Sequence, residues 1–316
     1  MRPTGRLHLG HYFGALKNWV AMQEEYDCFY MSADWHALTT DYADTSKVKE
    51  NAFEMLADWI TAGLKPEKCV MFKQSEVPQH SELFLILSML TPLGWLYRCP
   101  TYKEQINEIK NKDLSNYGFL GYPVLQAADI LLYKADYVPV GEDQLSHLEF
   151  SREITRRFNN FYGEVLIEPQ AKLTQTAKLP GIDGRKMSKS YGNSVFLGET
   201  EDAVKEKVKN MFTDPLKIKK DDPGHPEGCV VFSFHKIFNK DAARLETQCK
   251  AGGAGCVSCK KQLTEMLSDF MKPLAQKRNE LMSDKAYLEK ILDEGAQKAR
   301  QAAQDTMKEV KKALKL

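Results

Sequence analysis

Two short segments, His8-Leu9-Gly10-His11 near the start and Lys186-Met187-Ser188-Lys189-Ser190 past the middle, constrain this 316-residue chain more than any other feature. A His-x-Gly-His run opening an amphipathic helix offers two imidazoles and the helix's free backbone N–H groups to phosphate oxygens, and Gly10 leaves room for a flat base against the backbone. The lysine segment, in a polar loop, puts two ammonium groups on a movable support that can follow charge building on a departing pyrophosphate. Either segment alone reads as an incidental helix start or a solvated loop. Histidines first and lysines downstream is the order usual for phosphate sites on α/β sheets, so the pair is expected to form one ATP site.

The pattern between them fits such a sheet. Helical and strand-like stretches alternate up to about residue 160, which predicts an α/β, Rossmann-like parallel sheet covered by helices. Phe13, Leu16, Trp19 and Val20 form a helical stripe after the histidines, and Val48, Ala52, Met55, Leu56 and Trp59 form another. Cys28–Met31, Cys69–Phe72 and Val138–Val140 read as buried strands. Their carboxyl ends, where functional side chains of such sheets belong, bring Asp34, His36, Gln74 and the run Gly141-Glu142-Asp143-Gln144 to one edge.

Beyond Asn193 the chain turns to charged helix, ending in a long amphipathic segment over about 284–316. This predicts two domains, 1–195 carrying the sheet and 196–316 helical, as the length also suggests. From Met271 onward eleven Lys or Arg face seven Asp or Glu, a local +4, while the whole chain carries only +1. Any nucleic-acid footprint is therefore a local patch, and DNA is not an expected partner. No apolar run reaches the roughly 18 residues of a membrane span, and no secretory pattern opens the chain, so a cytoplasmic protein without a membrane partner is expected. In that compartment the seven cysteines read as buried thiols or metal ligands. Cys229, Cys249, Cys256 and Cys259 lie in one 31-residue window with Gly252, Gly253 and Gly255 among them, a spacing that suits either zinc or an iron-sulfur cluster. Cys28, Cys69 and Cys99 read as buried apolar residues.

Several spaced motifs in one order carry a resemblance. Arg2-Pro3-Thr4-Gly5 leads into His8–His11; Asp34-Trp35-His36-Ala37, Tyr122-Pro123-Val124-Leu125-Gln126-Ala127-Ala128-Asp129, Val138–Gln144 and Gly184–Ser190 follow. Over essentially its whole length the chain resembles the bacterial-type tryptophanyl-tRNA synthetases, which are class I aminoacyl-tRNA synthetases. The resemblance implies a two-step reaction: tryptophan and Mg2+-ATP form tryptophanyl-adenylate and pyrophosphate, and tryptophan then passes to the 3′ end of tRNA(Trp). No covalent enzyme intermediate is involved, so positioning and charge stabilisation carry the rate.

By the same resemblance, Arg2, Pro3, Thr4, Gly10 and His11 line the ATP, with His8 and His11 on the α-phosphate; Gly141, Glu142 and Asp143 hold the ribose and its surroundings. Lys186, Met187, Ser188, Lys189 and Ser190 close over the pyrophosphate. Tyrosyl-tRNA synthetases share the fold and a Gln-x-x-Asp element, and a carboxylate accepts from an indole N–H or a phenol alike; the Gly-Glu-Asp-Gln form is the one resembling the tryptophan enzymes. Asp129 is then the indole acceptor, with His36, Gln126, Val138, Val140 and Gln144 around it. The four cysteines match a subset with a 4Fe-4S cluster near the anticodon surface, zinc being the alternative. The resemblance further implies a homodimer and a helical C-terminal anticodon-binding domain, whose lysines meet tRNA phosphates. Family members usually carry a short strand and a Ser-Gly turn ahead of Arg2–Gly5, whereas this sequence starts at Met1 within that turn; reduced stability or activity is the expectation there. A paralogue that binds tRNA without acylating it is a different class of reading, which retention of both histidines and both lysines opposes.

Overall fold

The computed structural model describes residues 1–108, 112–173, 179–219 and 221–316. The histidine segment opens a short helix α1 (Leu9–His11), continues through a π-helical turn (Tyr12–Leu16) and runs on as α2 (Lys17–Met22). Strand β1 (Cys28–Ser32) follows, then α3 (Asp34–Asp41), α4 (Val48–Ala62) and β2 (Cys69–Lys73). Helices α5 (Gln79–Leu90), α6 (Leu93–Arg98), α7 (Pro100–Glu108) and α8 (Tyr117–Leu131) lead to β3 (Tyr137–Val140), α9 (Leu145–Tyr162) and β4 (Gln170–Leu173). The remainder is helical: α10 (Glu201–Asn210), α11 (Val230–Phe238), α12 (Ala242–Lys250), α13 (Cys256–Ser283) and α14 (Lys285–Leu314). This is the mixed α/β architecture with a helical C-terminal region that the alternating pattern leads one to expect.

Both strand pairs are parallel: β1 lies beside β2 with Cys28 opposite Cys69, and β3 beside β4 with Tyr137 opposite Gln170. Parallel strands need apolar cover on both faces. On one side α4 brings Met55, Leu56 and Trp59 into a core with Cys28, Tyr30 and Met71. On the other, α5, α8 and α9 bury Leu83, Leu87, Val124, Leu131 and Ile154 against Phe72. Helix α14 completes both layers, since Leu288, Ile291 and Leu292 join the first core and Ala296, Ala299, Ala303, Met307 and Val310 the second. The apolar stripe of the 284–316 segment therefore faces the strands, and Lys308 and Lys311 on its polar side pair with Asp305 and Glu82. A third core joins Leu9, Phe13 and Met187 to Val195, Val204, Phe234, Leu263 and Leu267, so the histidine helix and the lysine loop share one apolar floor. Cys28, Cys69 and Cys99 are buried. Among the described residues no helix is long and apolar enough to cross a membrane.

Candidate active site

The two motif halves are stitched together by backbone pairing. Leu9 N donates to Val195 O (2.8 Å) and Leu197 N to Leu7 O (2.8 Å), with His8 opposite Phe196. The loop behind this pairing is pinned by Asn193, which is 2% exposed: its Oδ1 accepts from Ser188 N (2.8 Å), while its Nδ2 donates to Asp183 Oδ1 (2.8 Å) and Lys186 O (3.1 Å). Met187 thus points into the core while Lys186 and Ser190 are exposed. Lys189 Nζ reaches the N-terminal segment and donates to Thr4 O (2.8 Å), Thr4 Oγ1 (3.2 Å) and Gly5 O (3.0 Å).

His8 and His11 lie ring to ring, centroids 3.7 Å apart, and His8 N donates to His11 Nδ1 (3.3 Å). Burial and the nearby Lys189 ammonium push His8 down to about 4; burial, His8 and Lys189 push His11 down to about 3. Both imidazoles are therefore neutral at physiological pH and offer phosphate an N–H donor, without the charge of an imidazolium. His8 Nδ1 is buried with no partner, an atom whose partner a bound ligand can supply. Gly10 has a local reason to be glycine: a Cβ there would stand 2.9 Å from His8 Cε1 and Nδ1 and 3.6 Å from Met187 Cβ. Partial burial lowers Lys189 to about 8 although Asp58 and Glu54 favour its charge, so a half-buried cation lies close enough to lower both histidines.

A second centre forms at the carboxyl ends of β1 and β2. Asp34 Oδ1 accepts from Trp35 N (3.0 Å) and Ser75 N (3.0 Å), which ties the start of α3 to the turn after β2. Gln74, fully buried, accepts from His36 N through Oε1 (3.3 Å) and donates from Nε2 to Asp129 Oδ1 (2.8 Å). His80 Nδ1 adds a second bond to Oδ1 (2.7 Å), and His36 Nε2 meets Oδ2 (2.8 Å). Burial opposes the charge on Asp129, but the His80 and His36 contacts outweigh it and hold the carboxyl at about 2. A carboxylate has about four acceptor positions; with three taken, one on Oδ2 is open for a further donor. His80 is itself oriented by Tyr133 Oη at 2.8 Å from its Nε2.

The other expected residues are carried by α8, by β3 and the turn after it, and by the N-terminal segment. Gln126 and Asp129 lie one turn apart on α8, Val138 and Val140 are half-buried on β3, and Gly141, Glu142 and Gln144 turn from β3 into α9. The side chain of Asp143 lies outside the described residues. Arg2 lies against α3, bonded to Thr40 and to Asp41 Oδ2 (3.4 Å), with its Nε buried and unpartnered, and Pro3 is buried beside it. In the sequence Gln74 stands at a strand end with no role attached, and His80, Tyr133 and Asn193 carry no functional mark. Only Gln74's position after a buried strand signalled its use.

In the C-terminal part of the chain, Cys229, Cys249, Cys256 and Cys259 line one recess together with Asp214, Lys217 and His235. Burial raises the thiols of Cys229 and Cys249, and burial with the three neighbouring thiols pushes Cys259 up to about 11. Among the described residues, no group of three or more His, Cys, Asp or Glu side chains is placed to hold a single metal ion.

A histidine pair facing a lysine loop, with a carboxylate fixed at the carboxyl ends of parallel strands, defines a nucleotide-dependent α/β enzyme site. Residues 1–272 match the class I tRNA synthetases for tryptophan and tyrosine, and the chain belongs to that family. It is 48% identical to the tryptophan–tRNA ligase of Thermotoga maritima and 45% identical to that of Aquifex aeolicus, each alignment covering 100% of this chain and 98% of the relative. A crystal structure of tryptophanyl-tRNA synthetase from Campylobacter jejuni, complexed with ADP and tryptophan, superposes with a TM-score of 0.90 at 37% identity, covering 100% of this chain and 98% of that one.

Proposed function

We propose that the chain activates L-tryptophan with ATP and transfers it to tRNA(Trp) as a tryptophan–tRNA ligase. The observation that carries this reading is Asp129: a buried carboxylate braced by His36, Gln74 and His80 with one acceptor position left open. An indole N–H fills that position, and an amino acid without a ring donor leaves it unpaired, which costs it affinity. Gln126, Val138, Val140 and Gln144 then enclose the indole and amino group. Full-length identity to tryptophan–tRNA ligases supports tryptophan over tyrosine.

ATP enters as its Mg2+ complex, as substrate. His8 and His11 donate N–H bonds to the α-phosphate where the tryptophan carboxylate attacks, and Arg2, Pro3, Thr4 and Gly10 line the nucleotide. Gly141, Glu142 and Asp143 take the ribose. Lys186, Met187, Ser188, Lys189 and Ser190 close over the pyrophosphate; Lys189, now resting on Thr4 O and Gly5 O, exchanges those carbonyls for phosphate oxygens. The adenylate is formed by in-line displacement, with charge stabilised by groups already in place.

The same proposal assigns 1–195 to catalysis and the helices after 195 to the anticodon, with α13 and α14 also bracing the catalytic part they pack against, in the cytoplasm where the tRNA pool lies. It places a 4Fe-4S cluster on Cys229, Cys249, Cys256 and Cys259. Support comes from the donor chemistry, four thiols around one recess, and from Gly224, where a Cβ would come 2.5 Å from Cys249 Sγ. Zinc is the alternative occupant of the same four thiols. The cluster's service would be to anchor α11, α12 and α13 as an inorganic cross-link. The homodimer is assigned to the apolar stripe of Leu85, Met89, Leu93 and Tyr97 on α5 and α6, each more than half exposed.

Amino-acid-dependent ATP–pyrophosphate exchange, run with tryptophan and tyrosine on anaerobically purified protein, tests the reading. Exchange with tryptophan alone is expected; none with either amino acid overturns it. Iron and acid-labile sulfide in the same sample test the cluster.

A further inference from the structure

Helix α13 begins with Cys256 and Cys259, and Arg278 lies nineteen residues beyond Cys259, about 28 Å along the helix at 1.5 Å per residue. The Arg278 side chain is 8% exposed and reaches α4, where its Nε donates to Asp58 Oδ1 (2.7 Å) and its Nη2 to Glu54. Asp58 is fully buried, and its other oxygen accepts the backbone N–H of Leu7 (2.5 Å). Leu7 directly precedes His8.

The histidine is thus strung between two supports. Asp58 holds the chain before it, and the Val195–Leu197 backbone holds it from the side through the bonds to Leu7 and Leu9. The second support also leans on α13: Gly198 packs so closely that a Cβ there would come 3.2 Å from Ala275 Cα, and Arg6 Nη2 donates to Leu197 O (3.0 Å) and Gly198 O (3.3 Å). Ala275 and Arg278, three apart, share one face of α13. One helix face therefore backs both supports of the ATP-site histidine.

We propose that Arg278 is a positioning residue for the ATP site: by holding Asp58 it fixes the Leu7 backbone, and with it the register in which His8 meets phosphate. A buried carboxylate stripped of its guanidinium moves toward water or takes a proton, and either change loosens the Leu7 N–H bond. The neighbouring bonds to Val195 and Leu197 then bear the segment alone. Tryptophan, bound at the separate Asp129 centre, does not feel the change.

The test is ATP affinity by calorimetry without tryptophan, beside the KM values for ATP and tryptophan in exchange, normalised to titrated active sites. Arg278→Met is expected to weaken ATP about tenfold while the tryptophan KM stays within about twofold. Arg278→Lys, which keeps one donor to Asp58, is expected to recover most of the loss. The double variant Arg278→Met with Asp58→Asn leaves no charge at the fully buried Asp58 position, only the partly exposed Glu54 without its partner, and so folds even where the single variant does not. The amide oxygen that Asp58→Asn introduces still accepts from Leu7 but is no longer held, and ATP is expected to remain several-fold weaker. Parent-like ATP affinity in both variants, or equal weakening of ATP and tryptophan, overturns the proposal. The exchange part rests on the tryptophan-activating reading; a parent chain without exchange would count against that reading, while calorimetry still decides the role of Arg278.

Discussion

Replacing Asp129 by Asn isolates one atom of the tryptophan site. The parent carboxylate accepts from Gln74 and His80 on Oδ1 and from His36 on Oδ2, at 2.7–2.8 Å. Asparagine keeps one oxygen. With that oxygen toward Gln74 and His80, its amide nitrogen takes the place of Oδ2; His36 adapts by presenting its unprotonated nitrogen, but the indole N–H then faces a donor. The loss of a hydrogen bond to a charged acceptor is about 2 kcal/mol, roughly thirtyfold in kcat/KM for tryptophan. ATP affinity is unaffected because His8 and Lys189 are not involved. The assay is exchange at varied tryptophan, with ATP binding measured separately. A kcat/KM for tryptophan within about threefold of the parent would refute the argument. The same substitution has a pH signature. Because Asp129 is held at about 2, against 3.8 in its unperturbed state, it contributes stability above pH 3.8 that is lost as pH falls toward 2. The stability gap between parent and variant should close over that window.

Four further outcomes concern the ATP half. Lys189→Met should slow activation by about a hundredfold, since it removes a cation from the departing pyrophosphate, and leave the tryptophan KM nearly unchanged; a selective rise in that KM would contradict the assignment. In the parent, burial holds Lys189 at about 8, so kcat/KM for ATP should fall as pH rises through 8, and Lys189→Arg should flatten that limb. With His8 and His11 at about 4 and 3, the same profile should show no imidazole step between about pH 5.5 and 7.5; a break near 6.5 would mean that the histidines act as cations. Gly10→Ala forces the His8 ring to move away from a Cβ at 2.9 Å, so activation should drop by up to about a hundredfold while the melting temperature stays near the parent's.

What was legible in the sequence was local. His8–His11 and Lys186–Ser190 are readable because phosphate chemistry gathers its donors within one turn or one loop. Cys28–Met31 and Cys69–Phe72 are readable as strands, observed as Cys28–Ser32 and Cys69–Lys73, because buried parallel strands need unbroken apolar runs. Asp129 stood out as a charge within an apolar stretch. The segment over 284–316 announced itself as an amphipathic helix by its period.

Only the tertiary structure decided who meets whom. Asp129 is braced by residues 55 and 49 positions away, Gln74 and His80, and a fully buried histidine in a helix carries no mark separating it from an ordinary core residue. Asp58 and Arg278, 220 positions apart, look like solvated charges on two helices until α13 is laid across α4. The neutrality of His8 and His11 is likewise a product of burial and of Lys189, which no count of charges reveals. Short motifs are set by bond reach along the chain. The state of a buried charge depends on what else the fold removes from water, and that is a property of distant segments brought together.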